Sequence, residues 1–129
     1  MHRRVLLAAP IVLAACTAAP PSAPARSVVV FFTADSAALD DPARNAVREA
    51  AGVARANPAG VVRVRGFAAP DTGTAAFNRS LAQTRAQAVA DGLVAAGVPA
   101  TRIRIESRGA VPYELMPTEA RRVEIAIGT

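Results

Sequence analysis

Asp71 and Arg85 are the side chains best placed to do chemistry in this sequence. They lie within residues 66–86, which read as the end of a strand, a short polar loop and the first turns of a long helix. A loop carboxylate and a helix arginine held a fixed distance apart could grip a small zwitterion. The acid takes the ammonium, and the planar, permanently charged guanidinium takes the carboxylate. Asn78 lies seven residues before Arg85, about 20° away around a helix of 3.6-residue period, so both can lie along one side. Long helical side chains lean toward the helix N-terminus, which predicts that Arg85 points back at the loop. Free amides at that helix end also favour an anion. Each residue has a local reading too. Pro70-Asp71-Thr72-Gly73 is turn chemistry by itself, Arg85 alone reads as a solvated helix arginine, and Asn78 can bond to the loop.

Composition removes most other chemistry. All 15 basic residues are arginine, against 10 acids, and there is one histidine and one cysteine. The start, Met1-His-Arg-Arg, is charged, residues 5–15 are almost wholly apolar, and small residues follow. This pattern predicts a secretory signal over residues 1–15, too short an apolar run to span a bilayer comfortably. With it removed the chain has no histidine and its sole cysteine is Cys16. A His/Cys metal centre, a Cys or His nucleophile, a Schiff-base lysine and an intrachain disulfide are then excluded. No cofactor and no catalytic residue is expected, and the chain reads as a non-enzyme. The pI of about 11.2 follows from arginine and does not by itself point to nucleic acid.

The elements that must position Asp71 and Arg85 can be read in order. Residues 16–26 hold three prolines among small residues, an extended tether reaching roughly 30 Å, and residues 27–129 form one domain. Residues 27–32 are a β-branched and aromatic run, expected as a buried strand. Asp40-Asp41-Pro42 starts a helix running to about Ala56, with Val47, Ala50, Val53 and Ala54 as its apolar stripe. Residues 61–67 alternate, with Val62 and Val64 opposite Arg63 and Arg65. Thr74 caps a second helix that ends near Ala96 and Gly97, with a core stripe of Ala82, Ala86, Val89 and Leu93. A third strand sets Ile103 and Ile105 against Arg102, Arg104 and Glu106, and a fourth sets Val123, Ile125 and Ile127 against Arg122, Glu124 and Ala126. The order β-α-β-α-β-β, with charge alternating on three strands, predicts an α+β two-layer sandwich: one mixed sheet, both helices on one face, the other face wet. That wet face carries arginines 63, 65, 102, 104 and 122 with glutamates interspersed. It lacks the exposed aromatics of a nucleic-acid reader, so no nucleic acid is expected as a partner. Arg121 is in phase with the apolar face of its strand; it either snorkels at the core edge or lies near the site.

Several of these pieces together resemble the OmpA-like domain, the module of peptidoglycan-associated lipoproteins. Phe31-Phe32 followed by Asp35-Ser36-Ala37-Ala38-Leu39 is similar to the family's opening strand and loop. Gly66, then Phe77-Asn78, Leu81 and Arg85-Ala86, is similar to its Gly…Tyr-Asn-x-x-Leu-Ser-x-x-Arg-Ala core. Gly97-Val98-Pro99 with Arg102-Ile103 fits the turn after its second helix, and Arg121-Arg122-Val123-Glu124-Ile125 its closing strand. The resemblance covers residues 28–127. Leu13-Ala14-Ala15-Cys16 likewise resembles a lipobox, with Cys16 the cleaved and lipidated residue; Thr17 after it resembles the arrangement that allows export to the outer membrane.

The resemblance implies non-covalent capture of peptidoglycan through the diaminopimelate of its stem peptide. It assigns the ammonium to a loop aspartate and the carboxylate to Arg85, with Asn78 and Arg121 as further ligand-binding candidates. The implied protein is lipid-anchored at the periplasmic face of the outer membrane, with other envelope proteins as further partners. The family's acid falls, by count from Gly66, on Ala69. Asp71 stands two residues later, in a loop one residue longer, behind Pro70. Either the insertion slides Asp71 into the role or the role is lost. The closing Asn is replaced by Ala120, and the loop over residues 109–120 is short for the family. A domain that no longer binds wall and serves as an envelope assembly module is the alternative.

Overall fold

Alternating apolar and charged residues foretell a sheet with one wet face. The computed structural model, which describes residues 26–71 and 73–128, has such a sheet. The chain forms β1 (Arg26–Phe31), α1 (Asp41–Ala56), β2 (Val62–Ala68), α2 (Ala75–Ala95), β3 (Ile103–Ala110) and β4 (Arg122–Ile127). Short 3-10 turns at Ala100–Arg102 and Pro117–Ala120 precede β3 and β4. Strand order is β1-β4-β2-β3. The last strand inserts between the first two and runs antiparallel to both, while β2 and β3 are parallel and joined through α2. This is the α+β two-layer architecture that the alternation predicts, one mixed sheet with both helices on one face.

Local chemistry starts both helices. The Asp40 carboxylate accepts from the Ala43 amide at 2.9 Å at the head of α1, and Thr74 Oγ1 accepts from the Phe77 amide at 3.1 Å at the head of α2. Past α2, Gly97 takes the left-handed conformation, and its amide and that of Val98 return to the Val94 and Leu93 carbonyls. Val62, Val64, Val123 and Ile125 from the sheet meet Val47, Val89 and Leu93 from the helices in one core. Cross-strand pairs such as Val64↔Ile125 and Val30↔Val123 hold its register.

Two expectations are corrected. The first strand is not buried: β1 is a sheet edge, bonded only to β4, and Val29 and Phe31 are exposed while Val30 is covered. In a sheet with one wet face each strand buries alternate residues, as the inner strand β4 also does, and β-branched composition does not show which residues face water. Arg102 belongs to no strand. It lies in the turn before β3, and its guanidinium donates to the carbonyls of Ala54 (2.8 Å), Asn57 (2.7 Å) and Gly60 (2.8 Å), closing the C-terminal end of α1. Of the remaining wet-face arginines, Arg63 and Arg65 reach Glu106 and Arg122 reaches Glu124, as expected, whereas Arg104 donates to the Thr101 and Ile103 carbonyls; Arg108 also reaches Glu106. The expected signal segment, Cys16 and the tether to residue 25 lie outside the described residues. Among the described residues no helix is long and apolar enough to cross a membrane.

Candidate ligand-binding site

Strand polarity sets where the site must be. The C-terminal ends of β1 and β2 and the N-terminal end of β4 meet at one end of the sheet. Residues following β1, following β2 and preceding β4 therefore become neighbours. That end holds Thr33 to Ser36, Phe67 to Asp71, and Arg121.

Arg85 sits behind this end and is fully buried. Its Nε donates to the Ser36 carbonyl at 2.8 Å, one Nη to the Phe67 carbonyl at 3.1 Å and the other to the Thr33 carbonyl at 3.0 Å. The guanidinium also lies 5.3 Å from the centre of the Phe32 ring. One side chain thus ties the β1–α1 loop to the end of β2. Two local features prepare its acceptors. Asp35 takes φ +50°, which turns the chain between Thr33 and Ser36. The β2–β3 ladder slips between Gly66 and Phe67, just before the Phe67 carbonyl that Arg85 uses. Burial first, then repulsion from Arg121, lowers the Arg85 pKa to about 10; the Asp35 carboxylate opposes this, and the group stays cationic at neutral pH.

The surroundings of Arg85 differ from those expected. It does not face open amides; carbonyls from the β1–α1 loop and the end of β2 close around it. Asn78 shares the buried side of α2 with it, and its Oδ1 has no hydrogen-bond partner among the described residues. Such an orphaned buried acceptor is uncommon and calls for a donor.

Asp71 finds a different cation. Arg121 Nη2 lies 3.3 Å from Asp71 Oδ2, with the Asp71 side chain 33% and the Arg121 side chain 17% exposed. Of the alternatives left open for Arg121, the structure shows it beside Asp71, with its side chain largely covered. Its backbone is held on both sides, the amide donating to Thr118 O (3.1 Å) and the carbonyl accepting from Phe32 (2.8 Å). The structure therefore gathers all four candidates at one end of the fold or on the helix side behind it, but pairs Asp71 with Arg121 rather than with Arg85.

One organising residue escapes sequence reasoning. The Glu119 carboxylate accepts from the amides of Glu114, Leu115 and Met116 at 3.1, 3.2 and 3.1 Å. These bonds, the Glu114 amide foremost, hold its pKa below the usual carboxylate value against the opposing effect of burial. They shape the loop that delivers Arg121. Pro117 followed two residues later by an acid is the available signal, a turn start with a carboxylate reaching back.

Comparison with known proteins now fits this geometry to a family. The model of the OmpA family matches residues 31–122. The chain belongs to the OmpA family. This OmpA-family domain is 43% identical over 81 residues to outer membrane protein 40 of Porphyromonas gingivalis, a match covering 63% of the chain and 21% of that relative. The chain thus spans about a fifth of the length of the curated relative it matches. In structure it is similar to the peptidoglycan-associated lipoprotein of Burkholderia pseudomallei, with TM-score 0.71 and 24% identity over 78% of this chain and 89% of that one. It is also similar to the C-terminal domain of Helicobacter pylori MotB, with TM-score 0.65 and 27% identity over 78% and 82% of the two chains. The first of these likenesses, at so low an identity, speaks for the fold alone.

Proposed function

We propose that this OmpA-family domain binds peptidoglycan without catalysis, through the diaminopimelate of the stem peptide, and anchors the outer membrane to the wall from its periplasmic face by a lipid on Cys16. The observation that carries this reading is the charge cluster at the sheet end: an accessible Asp71 carboxylate beside Arg121, with the buried Arg85 cation behind and Asn78 Oδ1 awaiting a donor. An ammonium and a carboxylate on one carbon need such a mixed set and gain nothing from a site of one sign. The family and a relative that is an outer membrane protein support it. Asp71, Asn78, Arg85 and Arg121 form the proposed ligand set.

Co-sedimentation with purified peptidoglycan tests the reading. Wild type is expected in the pellet. Asp71→Ala, which removes the only charged partner offered to the ammonium in the loop, is expected to weaken binding about tenfold or more. No turnover is expected; release of wall fragments by the purified chain would contradict this.

A second reading is favoured by one observation. Asp71 is already paired and Arg85 is sealed, as in a domain that has lost its ligand and acts as an assembly module for other envelope proteins. Equal sedimentation of wild type and Asp71→Ala, or no sedimentation of either, would select it.

A further inference from the structure

The sheet ends in β1 on one side and β3 on the other, and only the β3 edge is protected. β3 carries Arg104, Glu106 and Arg108, and its pairing with β2 slips where Phe67 meets Gly109, a glycine at φ +67°. Charges and a bulge of this kind keep a strand edge from pairing with another chain. β1 has no such device. Its register with β4 is unbroken over Arg26–Phe31, it contains no proline, and its only charge is Arg26 at the start. Val29 and Phe31 on it are 38% and 50% exposed. An edge this regular and apolar is a ready template for one more strand.

The existing ladder decides which backbone groups face outward. The Phe32 amide donates to the Arg121 carbonyl at 2.8 Å, continuing the β1–β4 register by one pair. Antiparallel ladders alternate, so Val30, Val28 and Arg26 also turn their backbone groups toward β4. Ser27, Val29 and Phe31 turn theirs to the open side. Along that side runs a slot lined by Val30 and, from the head of α1, by Asp40, Pro42, Ala43 and Ala46. The stretch of sequence just before β1 is unsuited to cover the edge, because Pro20, Pro21 and Pro24 have no amide to donate.

We propose that a second copy of this chain covers the edge, β1 pairing antiparallel with its own counterpart about a two-fold axis at Val29. Such an axis satisfies both copies with one self-complementary contact. Of the registers that set outward groups against outward groups, the one centred on Val29 engages Ser27, Val29 and Phe31 together. Val29 stands opposite the partner's Val29, and Ser27 opposite the partner's Phe31. On the helix side, Val28, which is only partly buried in the single chain, comes beside the partner's Val30 and enters its slot. The charges agree with this register. Arg26 is brought to the partner's Asp40 and Asp41, exposed acids at the head of α1. Two four-stranded sheets become one, and the apolar patch of Val29 and Phe31 is shared across the join instead of meeting water. The candidate ends, at the C-terminal ends of the two β1 strands, then point in opposite directions.

Sedimentation equilibrium of the purified chain over a concentration series tests this and is expected to show monomer and dimer in exchange. Val29→Lys sets two cations together at the axis and should raise the dissociation constant about a hundredfold or more, with the circular dichroism of the wild type. Arg26→Glu should raise it about threefold or more. In a Cys16→Ser background, Val29→Cys should give a disulfide-linked dimer under mild oxidation, since residues directly opposite in a ladder lie within bridging range. Arg104→Cys, on the β3 edge, should not. A wild type that stays monomeric at about 1 mM would overturn the proposal. So would a dimer that Val29→Lys leaves intact, or cross-linking of Arg104→Cys as fast as that of Val29→Cys. If Val29→Cys in cells bridges to a different protein and not to itself, the edge takes a foreign strand and self-pairing is likewise overturned.

Discussion

At the residue scale, what separates the charged groups is how many partners each has, not what type each is. Arg85 and Arg102 are both wrapped by three backbone carbonyls, one at the sheet end and one at the end of α1. Arg121 has one ion-pair contact and some exposure. A guanidinium's fixed fork of five donors suits the first use, and no lysine could reproduce it. Glu119 shows the same economy with opposite sign, one carboxylate serving three amides. Its lowered pKa means that the folded state favours the ionised form. The contribution is therefore present above the ordinary carboxylate range and lost as pH falls through the lowered value. The protection of amides 114–116 against exchange, taken relative to the intrinsic rate at each pH, is expected to fall on acidification below that range. In Glu119→Gln that protection should be low at every pH and show no acid transition.

At the element scale, the contact between α2 and β2 depends on an absent side chain. A Cβ on Gly66 would stand 2.0 Å from the Ala82 carbonyl oxygen and 3.1 Å from the Ala86 Cβ. Backbone cannot yield as a side-chain tip can, so Gly66→Ala must push α2 off the sheet, and with it Arg85. A loss of about 3 kcal/mol or more is expected in denaturant unfolding, whereas Gly52→Ala, with nothing within 4 Å, should not destabilise the fold and serves as the control. The end of α1 makes a second test. Arg102→Ala should cost about 2 kcal/mol by leaving the Ala54, Asn57 and Gly60 carbonyls without their charged donor. Arg102→Lys should recover only part of this, since one ammonium cannot span three acceptors.

At the scale of the whole molecule, inserting β4 between β1 and β2 is what brings the candidate residues together. Arg121, the residue before β4, is brought beside Phe32, which follows β1, and within reach of Asp71, fifty residues away in sequence. The helices cover one sheet face and leave the other to ion pairs with water access, so the candidate end, the core and the wet face stay separate. If the chain is tethered as proposed, Cys16→Ser should move it from the membrane fraction to the soluble fraction after cell breakage, without altering peptidoglycan co-sedimentation of the purified protein. Retention of Cys16→Ser in membranes would count against the lipid anchor.

The sequence by itself determined whatever depends on period and on local hydrogen bonds. Alternation at Val62-Arg63-Val64-Arg65, the stripe from Ala82 to Leu93, and the caps Asp40 and Thr74 are each written in a few consecutive residues, and the elements, the two layers and the wet face follow from them. The candidates Asp71, Asn78, Arg85 and Arg121 were legible as residues, and residue types do carry that much. Only the tertiary structure decided how they pair. Whether an arginine is sealed by carbonyls or paired with an acid depends on which loop ends meet, and that is set by strand order, which periodicity does not encode. For the same reason β1 read as buried although it is an edge, and Arg102 read as a strand residue although it closes α1: their partners lie on elements distant in sequence.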